Sequence, residues 1–280
     1  MRTPQVLTDG LVMGESPRWH DGRLWVCDWG AGEVLSVGPG GDRRVELQVD
    51  GLPTSIEWDP DGRLLVLSGA RRALLRADGS GALSPVAELL PISDRPWNEV
   101  VVDGRGHTFV NGIGFDLMAG EAAGDGQVAV VDADGTARRV ADGLAFPNGM
   151  AVLADGTTLV VAESYGNRLT AFTIGEDGTL SDRRPWADLG DGCPDGITAD
   201  AEGAVWYADV PNRCCVRVVE GGRVLDRVEV DRGCFACMLG GADGRSLFVV
   251  AAEWGGPDAV GGRTGQVLVV PAPAPHAGRP

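Results

Sequence analysis

The chain has 280 residues, of which 44% are hydrophobic and 23% charged, so it can bury a sizeable core. Its formal net charge of −16 disfavours binding to nucleic acid, because an acidic surface repels phosphate backbones. Its 43 glycines lack a collagen-like period and often follow aspartate, which indicates many tight turns and an all-β fold.

No stretch of the sequence approaches the run of about 18 apolar residues that a membrane-spanning helix needs, so we expect no membrane partner. The first residues, MRTPQVLTDGLVMGESPRW, lack the apolar core and small-residue cleavage site of a secretory signal. A cytoplasmic location is therefore the expectation.

The chain contains six cysteines, which a cytoplasm would keep reduced. They are Cys27, Cys193, Cys214, Cys215, Cys234 and Cys237. Cys234 and Cys237 have the spacing of a redox or zinc pair, but neither a second pair nor a histidine cluster accompanies them in the sequence. We interpret all of the cysteines as small buried hydrophobic residues.

A polar turn with a glycine, followed by an apolar or aromatic strand, occurs six times along the chain. The repeat glycines are Gly22, Gly62, Gly106, Gly156, Gly203 and Gly244. Their spacings are 40, 44, 50, 47 and 41 residues, and a large apolar residue stands three positions after each of them. Those residues are Trp25, Leu65, Phe109, Leu159, Trp206 and Leu247, and the aromatic Phe248 follows Leu247. Their size suits a position packed between neighbouring sheets.

Each repeat contains four segments with the alternation and β-branched residues of short strands. In the fourth repeat these segments are MAVLA, TLVVAES, RLTAFTI and PWADLG. One such unit cannot bury both of its faces alone, so the repeats predict a single six-bladed β-propeller over residues 1–270. Residues 4–7 are expected to pair with residues 266–270, and the Pro/Ala-rich residues 271–280 to be disordered.

Oxygen-bearing side chains recur at one corresponding place in four of the repeats. Asn98, Asn148 and Asp195 each stand eight residues before a repeat glycine, and Glu15 stands seven before one. The other two repeats carry Thr54 and Ala236 at this place. The place is the start of a blade's first strand, which lines the central channel of a propeller. The polar side chains should therefore meet at one mouth of that channel.

Carboxylate and amide oxygens are hard donors that suit Ca²⁺, Mg²⁺ or Mn²⁺, with Zn²⁺ also possible. Glu15 and Asp195 supply two negative charges, which match one divalent ion, whereas without a cation they would repel each other. The alternative is that Asx side chains only satisfy loop backbone groups, but turn chemistry alone does not place four of them in register. We expect one divalent ion, Ca²⁺ first, held by Glu15, Asn148 and Asp195. Asn98 should bind it directly or through one water.

The loops after the second strand of each blade are expected to wall this mouth, because that strand runs back towards it. They carry candidate substrate contacts at Asp28, Trp29, residues 111–116, residues 163–165, Asp209 and residues 253–254. For the acidic residues the alternative is that they cap loops or pair with arginines such as Arg168. These acids are Asp28, Glu163, Asp209 and Glu253.

Signatures of other enzymes are missing from the sequence. His20 and His107 lie by hairpin turns expected at the opposite face, and His276 lies in the tail. The sequence contains no Gly-x-Ser-x-Gly elbow, phosphate loop or dinucleotide fingerprint. A Ser-His-Asp hydrolase is therefore disfavoured.

The chain resembles the regucalcin/gluconolactonase family, which includes senescence marker protein and luciferin-regenerating-enzyme relatives. The matching motifs are Gly14-Glu15-Ser16-Pro17 with Trp19, Asn98 with Asp103, Pro147-Asn148-Gly149, Glu163-Ser164-Tyr165-Gly166-Asn167-Arg168, and Pro194-Asp195-Gly196-Ile197 with Asp200. The resemblance implies a six-bladed propeller that holds one divalent metal through Glu15, Asn148 and Asp195. It also implies lactone hydrolysis, in which Asp195 accepts and donates a proton and Asn98 touches substrate or metal.

The chain departs from the sugar-lactonase branch of this family two residues before Asn98, where that branch has an arginine and this chain has Pro96. Arg95 and Trp97 flank the proline. A guanidinium suits hydroxyl-rich substrates, whereas an indole prefers an apolar or planar one, so the departure disfavours a sugar lactone. Asp116 falls near a substrate-binding carboxylate of the family. The candidate substrate contacts are Asn98, Trp97, Arg95, Asp116 and Glu163.

The leading hypothesis is a metal-dependent hydrolase that acts on a small-molecule lactone or related cyclic ester. The metal would polarise the carbonyl, Asp195 would move the proton, and Glu15 and Asn148 would hold the ion. Two alternatives stay open. One is a different carbonyl reaction at the same metal, and the other is a non-catalytic propeller that binds calcium or a protein.

Overall fold

The protein, seen in a computed structural model that describes residues 2–256 and 262–278, folds into six four-stranded antiparallel sheets. Each sheet is one blade of a β-propeller, and the strand order within a blade follows the chain except in the last. The six-bladed prediction is therefore confirmed.

The chain begins with β1 (Gln5–Leu11), which belongs to the last blade. Blade 1 contains β2 (Gly14–His20), β3 (Arg23–Asp28), β4 (Glu33–Val37) and β5 (Arg43–Gln48). Blade 2 contains β6 (Pro53–Trp58), β7 (Leu64–Ser68), β8 (Ala73–Ala77) and β9 (Leu83–Glu88). Blade 3 contains β10 (Trp97–Val102), β11 (Thr108–Gly112), β12 (Asp125–Val131) and β13 (Ala137–Ala145).

Blade 4 contains β14 (Pro147–Val152), β15 (Thr158–Glu163), β16 (Arg168–Ile174) and β17 (Leu180–Asp188). Blade 5 contains β18 (Pro194–Ala199), β19 (Val205–Asp209), β20 (Cys214–Val218) and β21 (Val224–Glu229). Blade 6 contains β22 (Gly233–Gly240), β23 (Ser246–Ala252), β24 (Gly265–Pro271) and the initial strand β1. A short 3₁₀ turn, Ser164–Gly166, follows β15. No helix in the described part of the chain has the length and apolar character that crossing a membrane requires.

The innermost strand of each blade contacts the innermost strands of both neighbouring blades, which closes the blades into a ring around the channel. All of the repeat glycines lie in the hairpin between the first and second strands of a blade, as predicted. Their φ angles run from +67° to +91°, a region that side chains with a Cβ rarely adopt. The turn geometry therefore explains why glycine recurs at this place.

Apolar side chains fill every interface between neighbouring blades, giving six buried clusters around the ring. The residues three positions after the repeat glycines lie in these clusters, as predicted. Phe109 and Trp206 are fully buried, and Trp25 is partly buried against the cluster between blades 1 and 2. Burial of apolar surface between the blades is the main force that holds the ring together.

The ring closes where β1 pairs antiparallel with β24, with Gln5 opposite Val269 and Val6 opposite Leu268. This is the pairing predicted for residues 4–7 with 266–270. One blade thus combines strands from both ends of the described chain, so the first blade cannot separate from the last without breaking a sheet.

The tail after β24 differs from the disorder that its Pro/Ala composition predicted. Residues 272–278 lie across the hairpins of blades 5 and 6, and His276 forms a β-bridge with Asp200. Pro275 O accepts a hydrogen bond from Ala201 N at 2.8 Å, and Ala274 is fully buried. These backbone hydrogen bonds and the burial offset the entropy that a Pro/Ala-rich segment loses on ordering. Residues 279–280 lie outside the described part.

All of the cysteines are free thiols, and all except Cys193 are buried among apolar residues, as predicted. Cys193 is half-buried and borders the cavity described below.

Candidate active site

A cavity of about 740 Å³ opens at the mouth of the channel where the innermost strands begin. Loops that follow the second strands of the blades form much of its wall, which agrees with the sequence prediction. Trp29, Tyr165 and Trp254 are examples from three of these loops. The opposite end of the channel carries the hairpins with the repeat glycines.

The oxygen-bearing residues predicted to meet lie together at the base of this cavity. Glu15, Asn98, Asn148 and Asp195, here called the polar quartet, come from four blades, and each is half-buried and borders the cavity. Asn98 Nδ2 donates to Asn148 Oδ1 at 3.0 Å, and Asn148 lies near enough to Asp195 to lower the pKa of that carboxyl. Residues at corresponding places in the sequence repeats are therefore in direct contact across neighbouring blades.

The electrostatics of the polar quartet favour a positive ion. Loss of solvation raises the pKa of Glu15 well above its usual value, and Asp195 and Glu99 raise it further. Loss of solvation also raises the pKa of Asp195, with Glu99 next, while the hydrogen bond from Asn148 acts in the opposite direction. Ionising several buried carboxyl groups this close together is electrostatically unfavourable, and a cation bound among them would offset the repulsion between their charges.

A buried network of charged and hydroxyl side chains lies in the channel beside the polar quartet. Glu99 Oε1 accepts hydrogen bonds from Arg18 Nη2 at 2.8 Å and from the Ser55 hydroxyl. Arg18 Nε pairs with Glu57 Oε2 at 3.1 Å, and Ser16 Oγ lies 2.8 Å from Ser55 Oγ. One guanidinium faces two carboxylates here, so the network adds negative charge beneath the cavity.

Our sequence patterns missed this network, although they contained a signal for it. Arg18 stands three residues after Glu15, and Glu57 stands three residues after Thr54. The residues at this place in blades 3, 4 and 6 are apolar. Charged residues are almost never fully buried unless they are paired. A cation and an anion at matching places of adjacent repeats therefore indicate an ion pair across two blades.

The polar quartet fits a hard divalent cation. Asp195 Oδ1 is a buried acceptor with no hydrogen-bond partner, a condition that few polar atoms in native proteins show. The available donors are carboxylate and amide oxygens, which Ca²⁺ and similar ions prefer. Among the described residues, no three His, Cys, Asp or Glu side chains form a metal-binding group, so the amide oxygens of Asn98 and Asn148 are needed to complete a ligand set.

Comparison with known proteins decides the family. Residues 13–253 match the family described as the SMP-30/Gluconolactonase/LRE-like region. The chain belongs to this family. The pentonolactonase XacC of Haloferax volcanii is 28% identical to this chain over 93% of the chain and 89% of the relative. The family resemblance inferred from the motifs is thereby confirmed.

Solved structures of other proteins share the fold of this chain. A luciferin-regenerating enzyme superposes with a TM-score of 0.84 at 20% identity, covering 98% of this chain and 97% of its own. Regucalcin of Agrobacterium tumefaciens, described as a calcium-binding protein, superposes with a TM-score of 0.81 at 22% identity over the same shares of the two chains. At these identities the likeness establishes the architecture of the family and not the chemistry of this member.

Asp28 and Asp209, acidic residues at the ends of the second strands of blades 1 and 5, anchor loops. This is the role that the sequence left open for them as the alternative to a substrate contact. Asp28 accepts hydrogen bonds from the backbone of residues 12–13 at 2.9 to 3.0 Å. Asp209 Oδ2 accepts one from Cys193 N at 3.0 Å. Each of these segments leads directly into an innermost strand, β2 or β18, that carries a member of the polar quartet. The acids therefore position the quartet without facing the cavity.

Glu163, which we predicted as a substrate contact, is instead buried in ion pairs behind the cavity. Its side chain is 0% exposed and pairs with Arg168 Nε at 2.9 Å and Arg183 Nη2 at 3.5 Å. Burial raises the pKa of Glu163, but hydrogen bonds from Arg168, the Ala145 backbone and Thr170 outweigh it and hold the pKa below its usual value. Glu163 is therefore a buried, ionised carboxylate whose ion pairs stabilise the fold.

The other predicted substrate contacts are placed differently from one another. Trp97 is fully buried, because side-chain alternation along β10 turns it into the interface between blades 2 and 3, and its Nε1 donates to Ser93 O at 3.3 Å. It nevertheless borders the cavity from within the wall. Arg95 pairs with Glu121 at 3.1 Å and is not among the described residues that line the cavity. Asp116 does border the cavity.

The backbone next to the polar quartet is packed so closely that only glycine fits after Asn148. A Cβ on Gly149 would lie 2.5 Å from Ile197 N and 2.6 Å from Asp195 O. We expect Gly149→Ala to lower the free energy of unfolding by about 1–3 kcal/mol and to weaken metal binding. Gly104→Ala is the control, because its Cβ would meet nothing within 4 Å, and it should change stability by at most about 0.5 kcal/mol. Equal effects in urea unfolding would contradict the close-packing account.

Proposed function

We propose that this chain is a divalent-metal-dependent lactonase that hydrolyses a lactone or related cyclic ester. The observation that carries the proposal is the polar quartet at the base of a cavity, with Asp195 Oδ1 unpaired. Family membership supports it, since the Haloferax volcanii relative is named a pentonolactonase.

A divalent cation bound at these oxygens would polarise the lactone carbonyl and stabilise the negative charge that develops on it. Glu15, Asn148 and Asp195 would hold the ion, and Asn98 would complete the site or orient the substrate. Hard oxygen donors favour Ca²⁺, while Zn²⁺, Mn²⁺ and Mg²⁺ can use the same set. The calcium-binding regucalcin neighbour agrees with this preference.

Asp195 is the side chain best placed to move the proton. A carboxylate has two oxygens, so Asp195 can bind the cation through one of them and accept a proton from the attacking water on the other. The same proton then passes to the leaving alkoxide oxygen as the ring opens, which leaves Asp195 ionised again. No histidine is among the described residues that line the cavity, so a carboxylate takes this role.

Cys193 also borders the cavity, but it is unsuited to act as a nucleophile. Burial, followed by the charges of Asp195 and Asp209, raises the pKa of the Cys193 thiol to about 11. Its Sγ donates to Ser164 O at 3.2 Å. Because the thiolate is the reactive form, a protonated thiol tied to a carbonyl favours direct attack by water over a covalent intermediate.

Removing the metal is expected to abolish lactone turnover. The protein should be treated with a chelator, freed of it, and assayed on a panel of γ- and δ-lactones before and after addition of Ca²⁺, Mn²⁺, Zn²⁺ or Mg²⁺. The rate of lactone hydrolysis is measured as the rate at which acid is released. Metal at 100 times its dissociation constant should also raise the free energy of unfolding by about 2.7 kcal/mol, because it binds only the folded state.

The matched blank is each lactone with metal and no protein, which accounts for uncatalysed ring opening. Unchanged turnover by the metal-free protein would contradict the metal dependence. A metal-loaded protein that turns over no lactone or cyclic ester would contradict the lactonase proposal and favour a non-catalytic metal-binding propeller.

A further inference from the structure

The walls of the cavity above the polar quartet are mainly apolar and aromatic. They include Trp29, Leu52, Ile113, Phe146, Phe235 and Trp254. Among the described lining residues, charge is confined to two members of the quartet and two further side chains. These four are Glu15, Asp195, Arg72 and Asp116. Polar recognition is therefore concentrated at the base, and the walls offer apolar contact.

Three uncharged polar groups in the walls already donate hydrogen bonds to the protein. Thr54 Oγ1 donates to Leu67 O at 3.1 Å, and Ser164 Oγ donates to Pro194 O at 2.7 Å. Trp29 Nε1 donates to a backbone carbonyl at 3.1 Å. A ligand hydroxyl beside these three groups would give up its water and find their protons already donated, which is unfavourable.

The two additional charged groups also form hydrogen bonds within the protein. Arg72 Nε donates to Asp94 O at 2.6 Å. Asp116 Oδ1 accepts a hydrogen bond from Ala119 N at 3.0 Å. Neither presents an arrangement dedicated to a hydroxyl-rich ligand, and the guanidinium expected two residues before Asn98 in sugar lactonases is replaced by Pro96.

Two groups of aromatic rings flank the opening. Phe146 packs edge-to-face on Tyr165 at 4.8 Å and on Phe115 at 5.4 Å between ring centroids. Phe235 and Trp254 form a second edge-to-face pair at 5.5 Å. Tyr165 is 50% exposed and Trp254 is 38% exposed, so large aromatic surface remains open to solvent at the cavity. Clustered apolar surface of this kind commonly marks a binding site for an apolar group.

We propose that the substrate of this site is a lactone that carries a large apolar substituent, aryl or alkyl, which fills the cavity while the lactone ring lies over the polar quartet. This inference rests on the proposed lactonase function and narrows its substrate class. The cavity volume of about 740 Å³ matches pockets that hold drug-sized ligands and exceeds the needs of a bare lactone ring. The substrate class thus differs from the pentonolactone in the name of the Haloferax volcanii relative.

Binding of stable analogues tests the substrate class separately from the reaction. Three δ-lactams, one unsubstituted, one phenyl-substituted and one polyhydroxylated, should be titrated calorimetrically into metal-loaded protein. Burial of one added apolar group in a hydrophobic pocket is worth at least about tenfold in affinity. The phenyl lactam should therefore bind at least about tenfold more tightly than the other two, and the corresponding lactones should follow the same order in kcat/KM.

A variant pair locates the effect in the cavity wall. Tyr165→Ala should weaken binding of the phenyl lactam about three- to tenfold, the size of one aromatic contact, and leave the unsubstituted lactam nearly unchanged. Val224→Ala is the control, because Val224 is 56% exposed on an outer strand and does not line the cavity. It should leave all three affinities unchanged.

The outcomes separate the two proposals. Equal or tighter binding of the polyhydroxylated lactam would overturn the apolar substrate class, whether or not lactones are hydrolysed. Equal loss of the phenyl and unsubstituted lactams in Tyr165→Ala would overturn it as well. Tight binding of the phenyl lactam without turnover of any lactone would support the apolar ligand class and contradict the lactonase reaction.

Discussion

Replacing Asp195 with Asn is expected to lower kcat by about 10²–10⁴-fold even at saturating metal. The substitution keeps the size of the side chain and one oxygen that can bind a cation, but it removes the proton acceptor and one negative charge. Metal affinity should fall for the second reason, and added metal restores only that part. The measurement is kcat as a function of metal concentration, with the metal content of the protein determined directly.

Glu15→Gln is the matched control for this prediction. It removes the same charge from the same proposed ion but no proton acceptor, so added metal should restore its kcat far better. Equal restoration of the two variants would remove Asp195 from the proton-transfer role. In that case the reaction would proceed without a base from the protein.

Replacing Arg18 with Met is expected to lower the free energy of unfolding by about 3–5 kcal/mol. The Arg18 side chain is only 6% exposed and binds both Glu57 and Glu99. Met keeps much of the apolar volume and leaves both carboxylates buried without their cation, and burial already raises the pKa of Glu57 in spite of Arg18. Urea unfolding at fixed metal concentration measures the loss.

Arg184→Met is the control for the buried pair. Arg184 Nε lies 4.0 Å from Glu220 Oε1, and the two side chains are 40% and 65% exposed. Such exposed pairs contribute little, so the expected loss is less than about 1 kcal/mol. A loss of that small size in Arg18→Met would show that Glu57 and Glu99 are satisfied without the arginine, which would contradict the network as described.

The parts of the structure that repeat could be predicted from the sequence, because repetition converts weak local signals into a strong one. A single turn glycine before an apolar segment indicates only a turn, but six of them at spacings of 40 to 50 residues locate the hairpin of every blade. The polar quartet followed in the same way, since corresponding places in the repeats must face the same channel. Its contacts, such as Asn98 with Asn148, connect residues 50 apart in the chain.

The sequence did not predict where a side chain points when its partner lies outside the repeat pattern. Glu163 pairs with Arg168, the partner that the sequence left open as an alternative, and also with Arg183, which lies 20 residues away on another strand and which nothing local to Glu163 specifies. Arg18 and Glu99 are 81 residues apart. The tail composition suggested disorder, because composition does not reveal backbone hydrogen bonds such as that between Pro275 and Ala201. In each case the deciding interaction lies in tertiary structure.

Anomalous diffraction from crystals grown with Mn²⁺ or Ca²⁺ tests most directly whether the polar quartet is a metal centre. We expect one ion at the base of the cavity, with oxygens of Glu15, Asn148 and Asp195 at about 2.0–2.6 Å. Asn98 should bind the same ion directly or through one water. A well-occupied ion elsewhere, with these side chains turned away from one another, would contradict the account.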